Sequence, residues 1–278
     1  MSLADRQIKA AIARAAIAQV GLARDEQHNY YLDGQGPITS VTTILKIVDK
    51  SGPLVGWAKR ITAEAAVRHS AELPGWVESF GEAGAVGMLT KAASVIRDKA
   101  ANAGSDIHQF AEAITRGQEV TVPEELAPYV AAYRKWLTDF EPEFLAAEEM
   151  VYSHHGYAGT FDAIVSIAGE TWMLDYKTSK GVYEETALQL AAYANADFIG
   201  RAGDPNRYAI PAIDQYGVVH IRPEGAELVP YDVTGAFEAF LAFKRGAEWR
   251  QREGIVGRPV GPALLNFPHA PAKEAAVA

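Results

Sequence analysis

Hydrophobic and polar positions along this chain follow two rhythms, and the change comes near Ala146. Before it, apolar residues recur mostly at helical spacing. Residues 3–24 read as an alanine-rich amphipathic helix, with further helices at about 53–71 and 76–116 and one opened by Pro123 that runs to about 140. Pro74 and Gly75 break that series, and Gly104 weakens it. Only His28–Gly34 and the β-branched run Ile38–Leu45 read as extended in this half. From Ala146 onward the pattern is that of strands, over Glu148–Ser153, Ala158–Ala168 and Thr171–Thr178. A helix follows at about 184–199. Two strands within 208–222, separated by a turn at Gly217, a strand near 226–232 and a helix over about 234–253 complete the series. The pattern predicts one α/β domain over residues 1–269, a mixed central β-sheet flanked by helices. Its helical N-terminal half covers about 1–145, its sheet core about 146–255, and residues 270–278 form a loose tail.

The chemistry concentrates on one predicted hairpin. Gly169-Glu170 lies midway between two strand-like runs, where a tight turn belongs. A turn there brings Asp162 within about one register step of Asp175, and alternation puts Asp175 and Lys177 on one face. Like charges opposed across strands repel, so the two carboxylates call for a cation. Oxygen donors suit Mg²⁺ or Mn²⁺. A metal beside a lysine is an arrangement suited to phosphodiester cleavage, the metal acidifying a water and the lysine steadying charge on phosphate. The bland alternative is a surface ion cluster. Against it, Lys177 is the only lysine in the chain with an acid two residues before it.

Neighbouring residues extend the cluster. Gln189 and Tyr193 share a helix face at i, i+4, where the amide can reach a water or phosphate and the phenol the lysine or a phosphate. His108 borders the apolar stripe of Ile107, Phe110, Ala111 and Ile114, with Glu112 one turn on; it is a satisfied boundary residue or a metal ligand. Glu148 and Glu149 are adjacent in a strand, so one joins the site and the other faces solvent. Spacing does not choose between them. His154 and His155 belong to a solvated loop.

Composition narrows the field. The absence of cysteine excludes disulfides, thiolate-bound iron–sulfur clusters and zinc–cysteine sites. No apolar run is long enough to span a bilayer, so no membrane partner is expected, and a cytoplasmic location is. The net charge of −9 argues mildly against a nucleic-acid partner, although a local cleft can carry the opposite field. Lys46, Lys59, Arg60, Arg97 and Lys180 are the basic residues that could grip a strand, or be solvated surface charges.

Taken together, these residues resemble the PD-(D/E)XK nuclease superfamily, in its RecB-like exonuclease branch. Gly159-Thr-Phe-Asp162 looks like that branch's G-x-x-D motif, Asp175-Tyr-Lys177-Thr-Ser its D-x-K-T motif, and Gln189-x-x-x-Tyr193 its Q-x-x-x-Y motif. Gly104-Ser-x-x-His108 resembles the upstream helical histidine motif. Pro37–Leu45 with Trp57 is similar to the opening of the mitochondrial genome maintenance exonucleases and phage-encoded relatives. The resemblance spans about residues 30–250. It implies a restriction-endonuclease-like core, with His108, Asp162, Asp175 and the backbone carbonyl of Tyr176 as metal ligands. It makes Lys177 the catalytic lysine, Gln189 and Tyr193 its support, and Glu148 the first-motif acid. Activity would be that of an Mg²⁺- or Mn²⁺-dependent DNA exonuclease in recombination, repair or end processing, in a bacterial cytoplasm if phage-encoded. Its partners would be DNA and a single-strand annealing or recombination protein. With no cysteine the chain stands apart from the iron–sulfur relatives, and it carries no helicase domain. A structure-specific or restriction-type endonuclease and a non-catalytic DNA-binding protein are the rival readings.

Overall fold

The computed structural model describes residues 21–48 and 51–255. Three short strands come first: β1 (Leu22–Arg24), β2 (Tyr30–Leu32) and β3 (Gln35–Ser40). The helix expected over 3–24 lies mostly outside the described residues. Where it does not, at Leu22–Arg24, the chain is a strand paired antiparallel with β2. The extended run also ends early. Ser40 accepts the Thr43 N–H through its side chain at 3.1 Å and caps α1 (Val41–Leu45). That cap, with Val41 and Ile44 fully buried, overrides the β-preference of the Val-Thr-Thr-Ile run.

Helices α2 (Ser51–Arg68), α3 (Leu73–Thr115) and α4 (Ala127–Phe140) follow. The break expected around Pro74 and Gly75 falls at residues 69–72, and Pro74 sits in the first turn of α3, where a missing N–H costs nothing. A second interruption, inside α3, falls at Gly81 (φ 70°, ψ 170°). The sheet then runs β4 (Glu143–Ser153), β5 (Tyr157–Ile167) and β6 (Glu170–Lys177), followed by α5 (Glu185–Ala194). After α5 come β7 (Phe198–Gly200), β8 (Arg207–Tyr208), β9 (Gln215–Arg222), β10 (Gly225–Pro230) and α6 (Ala236–Arg250). α5 is shorter than its pattern predicted, because Phe198–Gly200 pairs with Met150–Tyr152 of β4. Gly217 is no turn: it lies inside β9, between Leu174 of β6 and Pro230 of β10. A Cβ there would come within 3.1 Å of Leu228 and 3.2 Å of Trp172, so the glycine lets these side chains pack closely over the strand.

The result is an α/β architecture, a mixed sheet with helices on both faces. On one face α1, α5 and α6 bury Val41, Ile44, Leu190, Tyr193 and Phe240 against the sheet. On the other, Ile107 and Ala111 of α3 and Tyr133 and Trp136 of α4 pack on Val165, Leu174 and Val219. Two ladders are parallel, β3 with β5 and β6 with β9; the rest are antiparallel. Among the described residues no helix is long and apolar enough to cross a membrane.

The feature that positions everything else lies along β5. One edge of β5 pairs with β4 over nearly its full length. The other edge is divided: β3 takes Tyr157 and Ala158, and β6 takes Ala163 to Ile167. Between them Gly159, Thr160, Phe161 and Asp162 have no ladder partner on that side. Over the face of the sheet at Gly159 lies the ring of Tyr193 from α5. A Cβ on Gly159 would stand 2.4 Å from Tyr193 Cε1 and 3.3 Å from a methyl of Val41. Gly159→Ala is therefore expected to force the ring or the strand aside, costing about 1–3 kcal/mol. Thermal unfolding reads this directly, and an unchanged midpoint would show that the Tyr193 ring does not need the glycine.

Candidate metal centre

Each of the acids sits at the gap in β5. Asp162 is its last residue, and the β5–β6 ladder ends one step away at Ala163–Leu174. Across on β4, Glu148 falls between the Ala147–Ala163 and Glu149–Phe161 pairs, and its backbone is left-handed (φ 51°), a conformation uncommon for a residue with a Cβ. Register thus sets Glu148, Asp162 and Asp175 in one row across three strands. Strict alternation fails here. Phe161 and Ile164, three residues apart, both enter the core under α1, α5 and α6.

α3 supplies the next donor. Gly104 lets the helix close on the end of β6, its missing Cβ only 3.1 Å from Thr178 Oγ1. One turn on, His108 Nδ1 lies 3.6 Å from Asp162 Oδ1. His108, Glu148 and Asp162 each offer a ligand atom within 4.8 Å of the others, a group that could hold a metal ion. Glu149 is engaged elsewhere, 2.8 Å from Arg201. Of the adjacent glutamates, Glu148 enters the site.

Asp175 and Lys177 form the second half. Asp175 stands outside the histidine group; its Oδ2 lies 2.5 Å from Lys177 Nζ, and its Oδ1 accepts a 2.8 Å hydrogen bond from Gln189. Oδ2 is buried and, apart from that ammonium, has no hydrogen-bond partner among the described residues. Gln189 also donates to the Tyr193 hydroxyl at 3.3 Å, so Tyr193 supports the glutamine and not the lysine. Tyr176 contributes through its backbone: its N–H donates to Asp162 Oδ2 at 2.5 Å. Its own side chain turns to the opposite core, where its hydroxyl meets that of Tyr133 at 3.2 Å. His154 is exposed and paired with Asp197 at 2.6 Å, away from the site.

The electrostatics are those of a site short of positive charge. Burial, then the charges of Asp162 and Glu112, push the Glu148 carboxyl up to about 8. Burial raises Asp175 to about 6; Lys177 opposes that rise and Asp162 adds to it. Burial also works against ionising Asp162, yet His108, Lys177 and the Tyr176 N–H hold it below the usual carboxylate range. For His108, burial disfavours the cation, but Asp162 overrides this and raises it to about 9. Lys177 is raised as well: burial lowers it, and Asp175 and Asp162 more than compensate. The donor set therefore fits a divalent cation. One imidazole and two carboxylates converge, an underbonded carboxylate oxygen lies beside them, and protons occupy the places a cation would neutralise.

No family model and no curated protein matches this chain. Among solved structures 14 chains match. One of them, described as "Crystal structure of SSO0001", has a TM-score of 0.29 and 13% sequence identity, over 89% of this chain and 88% of its own. At that TM-score the likeness shows neither fold nor function.

The site opens into a cleft of about 940 Å³, bordered by Tyr30, Ser40, Gln109, Tyr129 and Lys180. Of the basic residues singled out in the sequence, Lys180 borders this cleft. Lys46 lines another cavity of about 810 Å³, which Lys177 and Gln189 also line, and Arg60 pairs with Glu64. Lys59 and Arg97 line a groove between α2 and α3. Sequence reasoning missed Arg24 and Arg116, which reach the site through pairing of the short N-terminal strands and the packing of α3. No local pattern marks them.

Protonation dictates how metal binding depends on pH. His108 and Glu148 both hold protons more tightly folded than unfolded, so their contribution to stability is present at low pH. It is lost as pH rises through about 8 and about 9. A cation must displace those protons. Mn²⁺ affinity measured by calorimetry is expected to climb steeply from about pH 6 to about pH 9, by up to about tenfold per pH unit for each proton released. The metal-free melting temperature should fall over the same range. A pH-independent affinity would remove His108 and Glu148 from the ligand set.

Proposed function

We propose that this protein is a metal-dependent deoxyribonuclease of the PD-(D/E)XK type, hydrolysing phosphodiester bonds as an exonuclease in DNA recombination, repair or end processing. The observation that carries the reading is the pairing of two half-sites at one break in the sheet. His108, Glu148 and Asp162 form a cation-binding group, and Asp175, Lys177 and Gln189 form a lysine-bearing group beside it. The ordered G-x-x-D, D-x-K and Q-x-x-x-Y motifs supply Asp162, Asp175, Lys177 and Gln189 from β5, β6 and α5, while His108 comes from α3 and Glu148 from β4.

Mg²⁺ or Mn²⁺ held by His108, Glu148 and Asp162, with Asp175 adjacent, would neutralise the scissile phosphate and acidify a water. The protein's own groups do the rest. Lys177, kept cationic by Asp175 and Asp162, donates hydrogen bonds; it orients the attacking water or steadies a non-bridging phosphate oxygen, and it does not act as a base. Gln189 fixes the Asp175 carboxylate, and Tyr193 fixes Gln189. The Tyr176 N–H holds Asp162 from the side away from His108. The cleft runs past the acids, and the half-buried Tyr129 at its border is available as a stacking surface.

Lys177→Ala is expected to reduce cleavage of DNA by at least about 10²–10³-fold while DNA binding stays within a few-fold of wild type. The assay uses 5′- and 3′-labelled single- and double-stranded DNA, linear and circular, with Mg²⁺, Mn²⁺ or EDTA. Retained activity in the variant would remove Lys177 from catalysis. Cleavage of circular DNA would replace the exonuclease by an endonuclease, and DNA binding by the wild-type protein without cleavage in either metal would favour a non-catalytic binding protein.

A further inference from the structure

Beside the acids, and continuous with their cleft, lies a second cavity of about 510 Å³. Arg24 of β1, Arg116 at the end of α3 and Arg201 after β7 all line it. Glu148 and Glu149 line it too, so the guanidiniums outnumber the carboxylates by one, in a chain whose net charge is −9. Arg24, Glu148 and Thr160 line both spaces, so the second cavity adjoins the cleft at the acids.

The three arginines are not equivalent. Arg201 is paired with Glu149 and lies over the Tyr208 ring, 4.2 Å from its centroid. Arg116 is paired with Glu112 at 2.7 Å. Arg24 forms no ion pair among the described residues. Its guanidinium is instead seated on a neutral hydroxyl, donating to Thr160 Oγ1 at 3.1 Å, while the Tyr30 hydroxyl holds the same oxygen at 2.9 Å. One exposed guanidinium is thus oriented with most of its donors unengaged, a fork matched to a phosphate's oxygens. The position matters as much as the chemistry. Thr160 lies two residues before Asp162 on the same strand, so the hydroxyl that seats Arg24 is about 7 Å along β5 from the acids. That is comparable to the step from one phosphate to the next in an extended strand.

We propose that Arg24, seated by Thr160 and Tyr30 and flanked by Arg116 and Arg201, is a phosphate subsite holding the DNA phosphate next to the one at the acids. The inference rests, for its ligand, on the nuclease reading. The phosphate is either an internal diester of the backbone or the monoester at a strand end, and both present the same oxygens to Arg24.

The test is binding of fluorescein-labelled single-stranded DNA by anisotropy, in EDTA and in Ca²⁺, across a salt series. The strands carry 5′-phosphate, 3′-phosphate or hydroxyl ends, and a circular strand is included. Arg24→Ala is expected to weaken binding about tenfold and to reduce the slope of log affinity against log salt by about 0.7, one phosphate contact on a single strand. Arg24→Lys should restore the slope with only part of the affinity. Thr160→Val, which keeps the charge and removes its seat, should weaken binding with the slope retained. A larger loss on phosphate-ended strands assigns the monoester; an equal loss on circular DNA assigns the diester. Unaltered affinity and slope in Arg24→Ala, or in Arg24→Gln should the alanine variant fail to fold, overturns the subsite. If wild type still cleaves in Mn²⁺, that result leaves the nuclease reading standing. Arg24-dependent binding by a wild-type protein that never cleaves does the reverse. A wild-type protein that binds none of these strands overturns both.

Discussion

The divided edge of β5 is the constraint on which the rest depends. A strand inside a sheet owes hydrogen bonds to both neighbours, and a buried backbone group left without one is costly. Here β3 and β6 share one edge and stop short of each other. The opening is closed by side chains. Asp162 supplies the acceptor for Tyr176 N–H that a continuing ladder would have supplied, and the Tyr193 ring fills the space over Gly159. The residues that mend the sheet are those that build the site, so stability and chemistry cannot be varied independently at this point.

The same break explains why the acids are held so close. Three carboxylates in one row would repel one another in a regular sheet. At the opening each finds a different answer: Asp162 takes a backbone N–H and the His108 imidazole, Asp175 takes Lys177 and Gln189, and Glu148 is left to hold a proton. Breaking any one of these buried pairs strands a charge, which is why single substitutions here carry a structural cost as well as a chemical one.

Much of the architecture was legible because the signals were local. The 169–170 turn, the Asp175–Lys177 alternation and the i, i+4 spacing of Gln189 and Tyr193 are short-range facts, and the elements bearing them fall within a few residues of expectation. The failures have long-range causes. Val41–Leu45 is helical because Ser40 caps it and the core takes Val41 and Ile44. Gly217 resembles a turn residue because β-strand glycines that make room for Trp172 look no different in sequence. Glu148 could not be separated from Glu149 by alternation, since alternation itself is interrupted at φ 51°. Arg24 was hidden inside a run that looked helical.

The same contacts also bear on how Lys177 is held. Asp175 offers one oxygen to Gln189 and the other to Lys177, so its charge is already committed on both sides. Gln189 is in turn fixed by Tyr193, whose ring cannot move without disturbing Gly159 and Val41. Within the ion pair the lysine side chain is 30% exposed and that of Asp175 3% exposed. Any positive charge brought to Asp175 weakens its hold on the ammonium and leaves the carboxylate where it is. The acid is thus the buried partner held on both sides and the lysine the more exposed one, which is the order required if, in the proposed reaction, Lys177 is to turn from Asp175 toward a phosphate.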